Sequence, residues 1–158
     1  MQQLIDAEML VAQARALIEG ERDPIANAAN VSALLYGALP DVNWVGIYLL
    51  RGDELVLGPF QGKPASTRIA VGHGVCGTAV AERRTLVVPD VHAFAGHIAC
   101  DSASRSEIVV PLVAGGRVIG VLDVDSPREG RFLDDERQLL EAIARALVAG
   151  SDFSSSNE

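Results

Sequence analysis

The sequence predicts an α+β fold, a central antiparallel β-sheet with two N-terminal helices and one C-terminal helix packed against it. Three observations carry that reading. Apolar residues recur at helical spacing at both ends of the chain, the middle holds runs rich in β-branched residues that double back as hairpins, and no strand–helix–strand crossover of the kind that builds a parallel sheet intervenes.

The elements follow in order. Leu4, Ala7, Leu10, Val11, Ala14, Leu17 and Ile18 line one face of an amphipathic helix closed by Gly20. Asp23-Pro24 offers an N-cap and a first-turn proline for a second helix, with Ile25, Ala28, Val31, Leu34 and Leu35 at helical spacing up to the break from Gly37 to Pro40. Asn43 to Leu50, the turn Arg51-Gly52-Asp53 and Glu54 to Phe60 read as a hairpin. A short extended segment, Ser66 to Val71, leads through Gly72, Gly74 and Gly77 into a turn or two of helix over Thr78 to Arg83. Those glycines permit tight turns and close approach to a ligand, but their spacing matches neither a phosphate loop nor a dinucleotide fingerprint. Leu86 to Val88 is a short strand stopped by Pro89. Val91 to Arg105 then lacks any sustained period, and a structureless connection of this length marks a functional loop. Glu107 to Ala114, Gly115-Gly116 and Arg117 to Asp125 form the strongest hairpin signal. The last helix starts at Asp134, buries Leu139, Leu140, Ile143, Ala144, Leu147 and Val148, and stops at Gly150. Residues 1–150 therefore read as one domain and 151–158 as a polar, disordered tail.

A chain of 158 residues is long enough to bury a proper core, and its 49% hydrophobic and 22% charged content is that of a globular domain. The N-terminus has no basic stretch followed by an apolar run, so no secretory leader is expected and the cytoplasm is the expected compartment. The net charge of −8, with twelve arginines and Lys63 as the sole lysine, argues against nucleic acid and against anionic membranes as partners.

Chemistry concentrates between Gln61 and Ser126. Both cysteines, Cys76 and Cys100, fall there, and Asp101, Glu107, Asp123 and Asp125 follow closely in sequence. With no leader expected, two cysteines read as free thiols rather than a structural disulfide. A thiol among carboxyls points to redox or acid-assisted chemistry. Asp123 and Asp125, two apart on a predicted strand, point to one face. The bland readings are that Cys76 is a small buried hydrophobe, that Trp44 and Tyr48 are core residues, and that His73, His92 and His97 are hydrogen-bonded loop residues. No Cys/His spacing supports a metal, so none is expected.

The element order, with Asn43-Trp44-Val45-Gly46-Ile47-Tyr48 at one end and Gly120-Val121-Leu122-Asp123-Val124-Asp125-Ser126 at the other, resembles the GAF domain. The motifs Gly58-Pro59-Phe60-Gln61-Gly62-Lys63, Gly74-Val75-Cys76-Gly77-Thr78, Asp90-Val91-His92, Gly96-His97-Ile98-Ala99-Cys100-Asp101 and Ser106-Glu107-Ile108-Val109 narrow this to the free methionine-(R)-sulfoxide reductases, over nearly the whole chain. One departure stands out: Ser66 occupies a position where members of that family carry a third cysteine.

The resemblance implies reduction of free L-methionine-(R)-sulfoxide to methionine. Cys100 would attack the sulfoxide sulfur and become a sulfenic acid, and Cys76 would resolve it as a disulfide that a thioredoxin-type thiol reopens, with no bound cofactor. Glu107 or Asp125 would supply the proton. The resemblance also places Trp44, Tyr48, Ile98, Glu107, Asp123 and Asp125 around the substrate, with Asp123 meeting its ammonium, and leaves a homodimer open. Next to Cys100, Asp101 opposes thiolate formation, and His97 is the nearest group in sequence to favour it. The alternatives from other classes are a catalytically silent GAF module that binds a small ligand, and a thiol redox sensor.

Overall fold

A computed structural model describes residues 6–97 and 102–154. Its elements run α1 (Ala7–Ile18), α2 (Pro24–Ala38), β1 (Trp44–Arg51), β2 (Glu54–Gly62), β3 (Arg68–Ala70), α3 (Gly74–Glu82), β4 (Leu86–Val88), β5 (Ser106–Ala114), β6 (Arg117–Ser126) and α4 (Asp134–Gly150). The strands form one six-stranded sheet in the order β3-β2-β1-β6-β5-β4, every neighbouring pair antiparallel. This is the predicted fold class, with α3 as a fourth helix.

Local chemistry sets the element ends. Asp6 caps α1 by accepting from the Met9 N–H, and Asp23 caps α2 by accepting from Ile25 and Ala26 with Pro24 in the first turn. The predicted helical residues Leu4 and Ile5 lie outside the described residues. At the β5–β6 turn, Gly115 and Gly116 both take positive φ (57° and 79°), the backbone that lets a two-residue loop match the strand twist.

The two faces of the sheet bury different things. On one, α1, α2 and α4 pack a large core in which Leu35, Ile47, Leu112, Leu122, Leu140, Ile143 and Leu147 are wholly buried. On the other, α3 and the short strands cover Trp44, Tyr48, Leu55, Cys76, Ala79, Val109 and Val121. Arg131 is buried where α4 joins the sheet. Its Nη1 donates to Glu136 (2.8 Å) and its Nε to the Pro40 carbonyl (3.0 Å), while Glu136 also accepts from the Leu133 N–H (3.0 Å). A buried cation is tolerated because it is paired and hydrogen-bonded.

Two differences from the sequence reading matter. The helix expected over Thr78 to Arg83 begins earlier, at Gly74, which puts Cys76 in its first turn rather than in an open glycine loop. Glycine is a poor helix former, but a Cβ at Gly77 would strike the Ala70 carbonyl oxygen, so close packing of α3 on β3 overrides propensity. The segment read as a tail is also partly seated: Phe153 is buried in the helical core and the Asp152 N–H donates to the Arg22 carbonyl (2.7 Å). Residues 155–158 lie outside the described residues. Among the described residues no helix is long and apolar enough to cross a membrane.

Candidate functional site

Strand register assembles the acidic cluster. Glu107 on β5 pairs with Asp125 on β6, Val109 pairs with Asp123, and on the other side of β6 Asp125 faces Trp44 and Asp123 faces Gly46. Alternation along the strands then turns Glu107, Asp123, Asp125, Trp44 and Tyr48 to the same side, towards α3. The same-face placement of Asp123 and Asp125 was legible from their spacing. That Glu107 joins them is a consequence of β5–β6 register.

These carboxyls line a cavity of about 370 Å³, mouth included, with Tyr48, Ile69, Gly74, Val75, Cys76, His97 and Ser104. Glu107, Asp123 and Asp125 are each no more than 6% exposed. Ligand-capable atoms of Cys76, Glu107 and Asp123 all lie within 4.8 Å of one another. Asp123 Oδ1 is buried without a hydrogen-bond partner among the described residues. An orphaned buried acceptor costs about 1–3 kcal/mol, which a cationic ligand group would recover.

Burial above all, then the charge of Asp125, pushes the Glu107 carboxyl well above its ordinary pKa. Burial followed by the charge of Glu107 does the same to Asp123. The Cys76 thiol is pushed well up by burial and then by the charges of Asp123, Glu107 and Asp125, and it hydrogen-bonds to Asp123. The pocket therefore holds its protons, and Cys76 rests as a thiol rather than a thiolate. His97 Nε2 stands 3.5 Å from Glu107 Oε1. Burial lowers the His97 pKa as it raises that of Glu107, so this contact joins a neutral imidazole to a protonated carboxyl rather than an ion pair.

The aromatic side of the pocket is a stack. Trp44 lies 5.3 Å from Phe60 and 6.0 Å from Tyr48, centroid to centroid. Its Nε1 donates to the Lys63 carbonyl (3.0 Å), and the Tyr48 hydroxyl donates to the Ser66 carbonyl (2.9 Å). Tyr48 lines the cavity itself, with Trp44 packed beside it. The loop expected from Val91 to Arg105 is held at its base by bonds from Val91 N–H to the Arg105 carbonyl (2.8 Å) and from Arg105 N–H to the Ser126 carbonyl (2.7 Å). Cys100, Ile98 and Asp101 lie outside the described residues.

Residues 23–149 match the GAF domain family. The free methionine-R-sulfoxide reductase of Escherichia coli (strain K12) is 58% identical over 141 residues, 87% of this chain and 86% of that protein. The chain belongs to the free methionine-R-sulfoxide reductase family, built on the GAF domain. Among solved structures, fRMsr of Staphylococcus aureus in complex with substrate superposes with a TM-score of 0.90 at 53% identity, covering 95% of this chain and 98% of that one. The free methionine-R-sulfoxide reductase of Neisseria meningitidis in complex with its substrate gives 0.89 at 44% identity, covering 95% and 92%.

Within this reductase-family fold the described candidates Cys76, Glu107, Asp123, Asp125 and Tyr48 converge on one cavity, while His73 and His92 are not among its lining residues. Ile69, Gly74, Val75, His97 and Ser104 line it too and had not been read as site residues. His97 was weighed beside Cys100, and Gly74 and Val75 stand in the motif around Cys76, whereas Ile69 and Ser104 carry no sequence signal of their own. The Asn43 amide donates to Ser104 Oγ (3.2 Å), fixing it at the cavity edge. Ser66, in place of the family's third cysteine, borders the aromatic wall through its carbonyl bond to Tyr48.

Proposed function

We propose that this protein reduces free L-methionine-(R)-sulfoxide to L-methionine by thiol chemistry. The observation that carries the reading is a small cavity in which an unpartnered carboxylate oxygen, a proton-holding carboxyl and a buried thiol face one another beside an aromatic wall. The oxidised amino acid enters with its ammonium on Asp123 and its sulfoxide end among the aromatic side chains.

Cys100 is the nucleophile in this proposal, as its motif implies. Its sulfur forms a bond to the sulfoxide sulfur while Glu107, protonated at neutral pH because it is buried against Asp125, gives its proton to the oxygen. Methionine leaves, and the oxygen passes to Cys100 as a sulfenic acid. Cys76 then attacks that sulfur, and its thiol proton leaves with the displaced hydroxide. A disulfide forms and water departs. A dithiol of the thioredoxin type reduces the disulfide by exchange, restoring both thiols. Burial as a protonated thiol suits Cys76 to this second role rather than the first, because the thiolate is the attacking form. A thioredoxin-type donor makes the cytoplasm the proposed compartment.

The test is methionine release from the R and S epimers of the free sulfoxide and from a peptide-bound sulfoxide, with dithiothreitol and with thioredoxin. Release from the free R epimer is expected, and its absence sinks the reading. Cys100→Ser abolishes turnover. Cys76→Ser completes one reduction and stalls with thioredoxin, and normal cycling by that variant would remove Cys76 from the resolving role.

A further inference from the structure

Three donor atoms of mixed chemistry meet in the cavity from separate elements. Cys76 comes from the first turn of α3, Glu107 from β5 and Asp123 from β6, and the Cys76 sulfur and one oxygen of each carboxyl all lie within 4.8 Å of one another. All three side chains are buried, Cys76 and Asp123 at 4% exposure and Glu107 at 5%. Spacing along the chain carries no sign of this set, because strand register and the docking of α3 assemble it. Asp123 Oδ1 lines the cavity without a hydrogen-bond partner among the described residues, so one strong acceptor is left over after the neighbouring bonds are made. Glu107 shares a hydrogen bond with Asp125, the kind of outer partner that holds a ligating carboxylate in place.

The donor set selects the ion. One sulfur with two carboxylate oxygens is borderline-soft and suits zinc or cadmium, whereas magnesium and calcium are held by oxygens alone. Zn–S bonds of about 2.3 Å and Zn–O bonds of about 2.0–2.2 Å set tetrahedral donor separations of about 3.5 Å, so atoms already within 4.8 Å close on the ion by small side-chain rotations.

We propose that Cys76, Glu107 and Asp123 form an inhibitory zinc site, in which the ion takes the Cys76 thiolate and one oxygen from each carboxylate, with water in the fourth position. Binding releases the Cys76 thiol proton to solvent, and the divalent charge offsets the mutual repulsion of the three anionic ligands. The ion occupies Asp123, the seat proposed above for the substrate ammonium, and ties up the Cys76 sulfur, so zinc and the sulfoxide exclude each other. A Cys76–Cys100 disulfide has no thiolate to offer, so only the reduced protein takes the ion. The inhibition rests on the reductase reading given above, and the site itself does not.

The test titrates the full chain, held reduced by a phosphine because dithiols chelate zinc, with Zn²⁺ alone by calorimetry and with Cd²⁺ alone by ultraviolet absorption. One Zn²⁺ per chain is expected, and Cd²⁺ should raise the charge-transfer band of a single thiolate. Cys100→Ser should keep both signals. Cys76→Ser and Asp123→Asn should each weaken Zn²⁺ binding at least about tenfold, the least that loss of even an outer partner costs a metal site. Asp123→Asn keeps shape and volume, and circular dichroism checks that its lost affinity is not a lost fold. Mg²⁺ in excess should displace nothing. In single-turnover assays Zn²⁺ should slow methionine release, and raising the sulfoxide concentration should reverse the effect. A charge-transfer band that survives Cys76→Ser and vanishes in Cys100→Ser overturns the proposal. Unchanged Zn²⁺ affinity in Asp123→Asn does so too, since it marks an adventitious ion only. Bound Zn²⁺ with undiminished methionine release overturns the inhibitory role. A protein that binds Zn²⁺ as described but never reduces the sulfoxide loses the reductase reading and keeps the site.

Discussion

Replacing Asp123 by asparagine should make the protein more stable and less able to hold its ligand. Asp123 is 4% exposed, its Oδ1 has no partner among the described residues, and burial and then Glu107 hold its pKa well above the ordinary carboxylate value. An acid whose folded pKa is raised keeps its proton in the folded state at a pH where the unfolded chain has lost it. Its contribution is favourable at low pH and is lost as pH rises from about 4, the unfolded value, through the raised folded one. Across that window each such group can impose a slope of up to about 1.4 kcal/mol per pH unit against folding. Asp123→Asn removes one of the two slopes and leaves that of Glu107. Sparing the fold that ionisation cost should stabilise the variant by about 1–3 kcal/mol at pH 8, and by less at pH 5, where wild-type Asp123 carries its proton. Urea unfolding followed by circular dichroism at pH 5, 6.5 and 8 measures this directly. His97, whose lowered pKa makes stability fall as pH drops through about 6.5, is common to both proteins and cancels in the comparison. Methionine affinity should fall in the same variant. Parallel pH profiles for the two proteins, or a variant less stable at pH 8, would refute the account of a strained acidic pocket.

Other expectations follow from packing. A Cβ at Gly46 would lie 2.5 and 2.7 Å from Trp44 ring atoms and 2.6 Å from Phe60 Cβ, so Gly46→Ala should cost about 1–3 kcal/mol by overpacking. Because the displaced ring belongs to the aromatic wall, weaker methionine binding should accompany the lower melting temperature. Arg131→Ala should cost about 3–5 kcal/mol by stranding Glu136 and the Pro40 carbonyl, and Arg131→Met should cost less because it keeps the volume; equal losses in the two variants would show that the side-chain volume contributes nothing.

The hairpins and the outer helices were legible because their signals are local. The Gly115-Gly116 turn, the Asp23-Pro24 start and the apolar stripe from Leu139 to Leu147 each state their element within a few residues. The early start of α3 was not legible, because it depends on the close approach of Gly77 to Ala70, residues that belong to different elements. Likewise Arg131 gave no hint of burial, since its partners Pro40 and Glu136 meet only when α4 docks. For the site, spacing put Asp123 and Asp125 on one face, but their meeting with Glu107 depends on β5–β6 pairing, and Cys76 reaches them only through the placement of α3. The motif resemblance named these residues before geometry could join them. Phe153 was missed because a lone aromatic among serines has no period to betray it.

The sheet works as a partition with unequal duties. Behind it, three long helices contribute cohesion that owes nothing to the acidic chamber in front. A lineage, or an engineer, can therefore exchange the side chains beneath α3 to suit a different guest while the rear layer keeps the molecule folded.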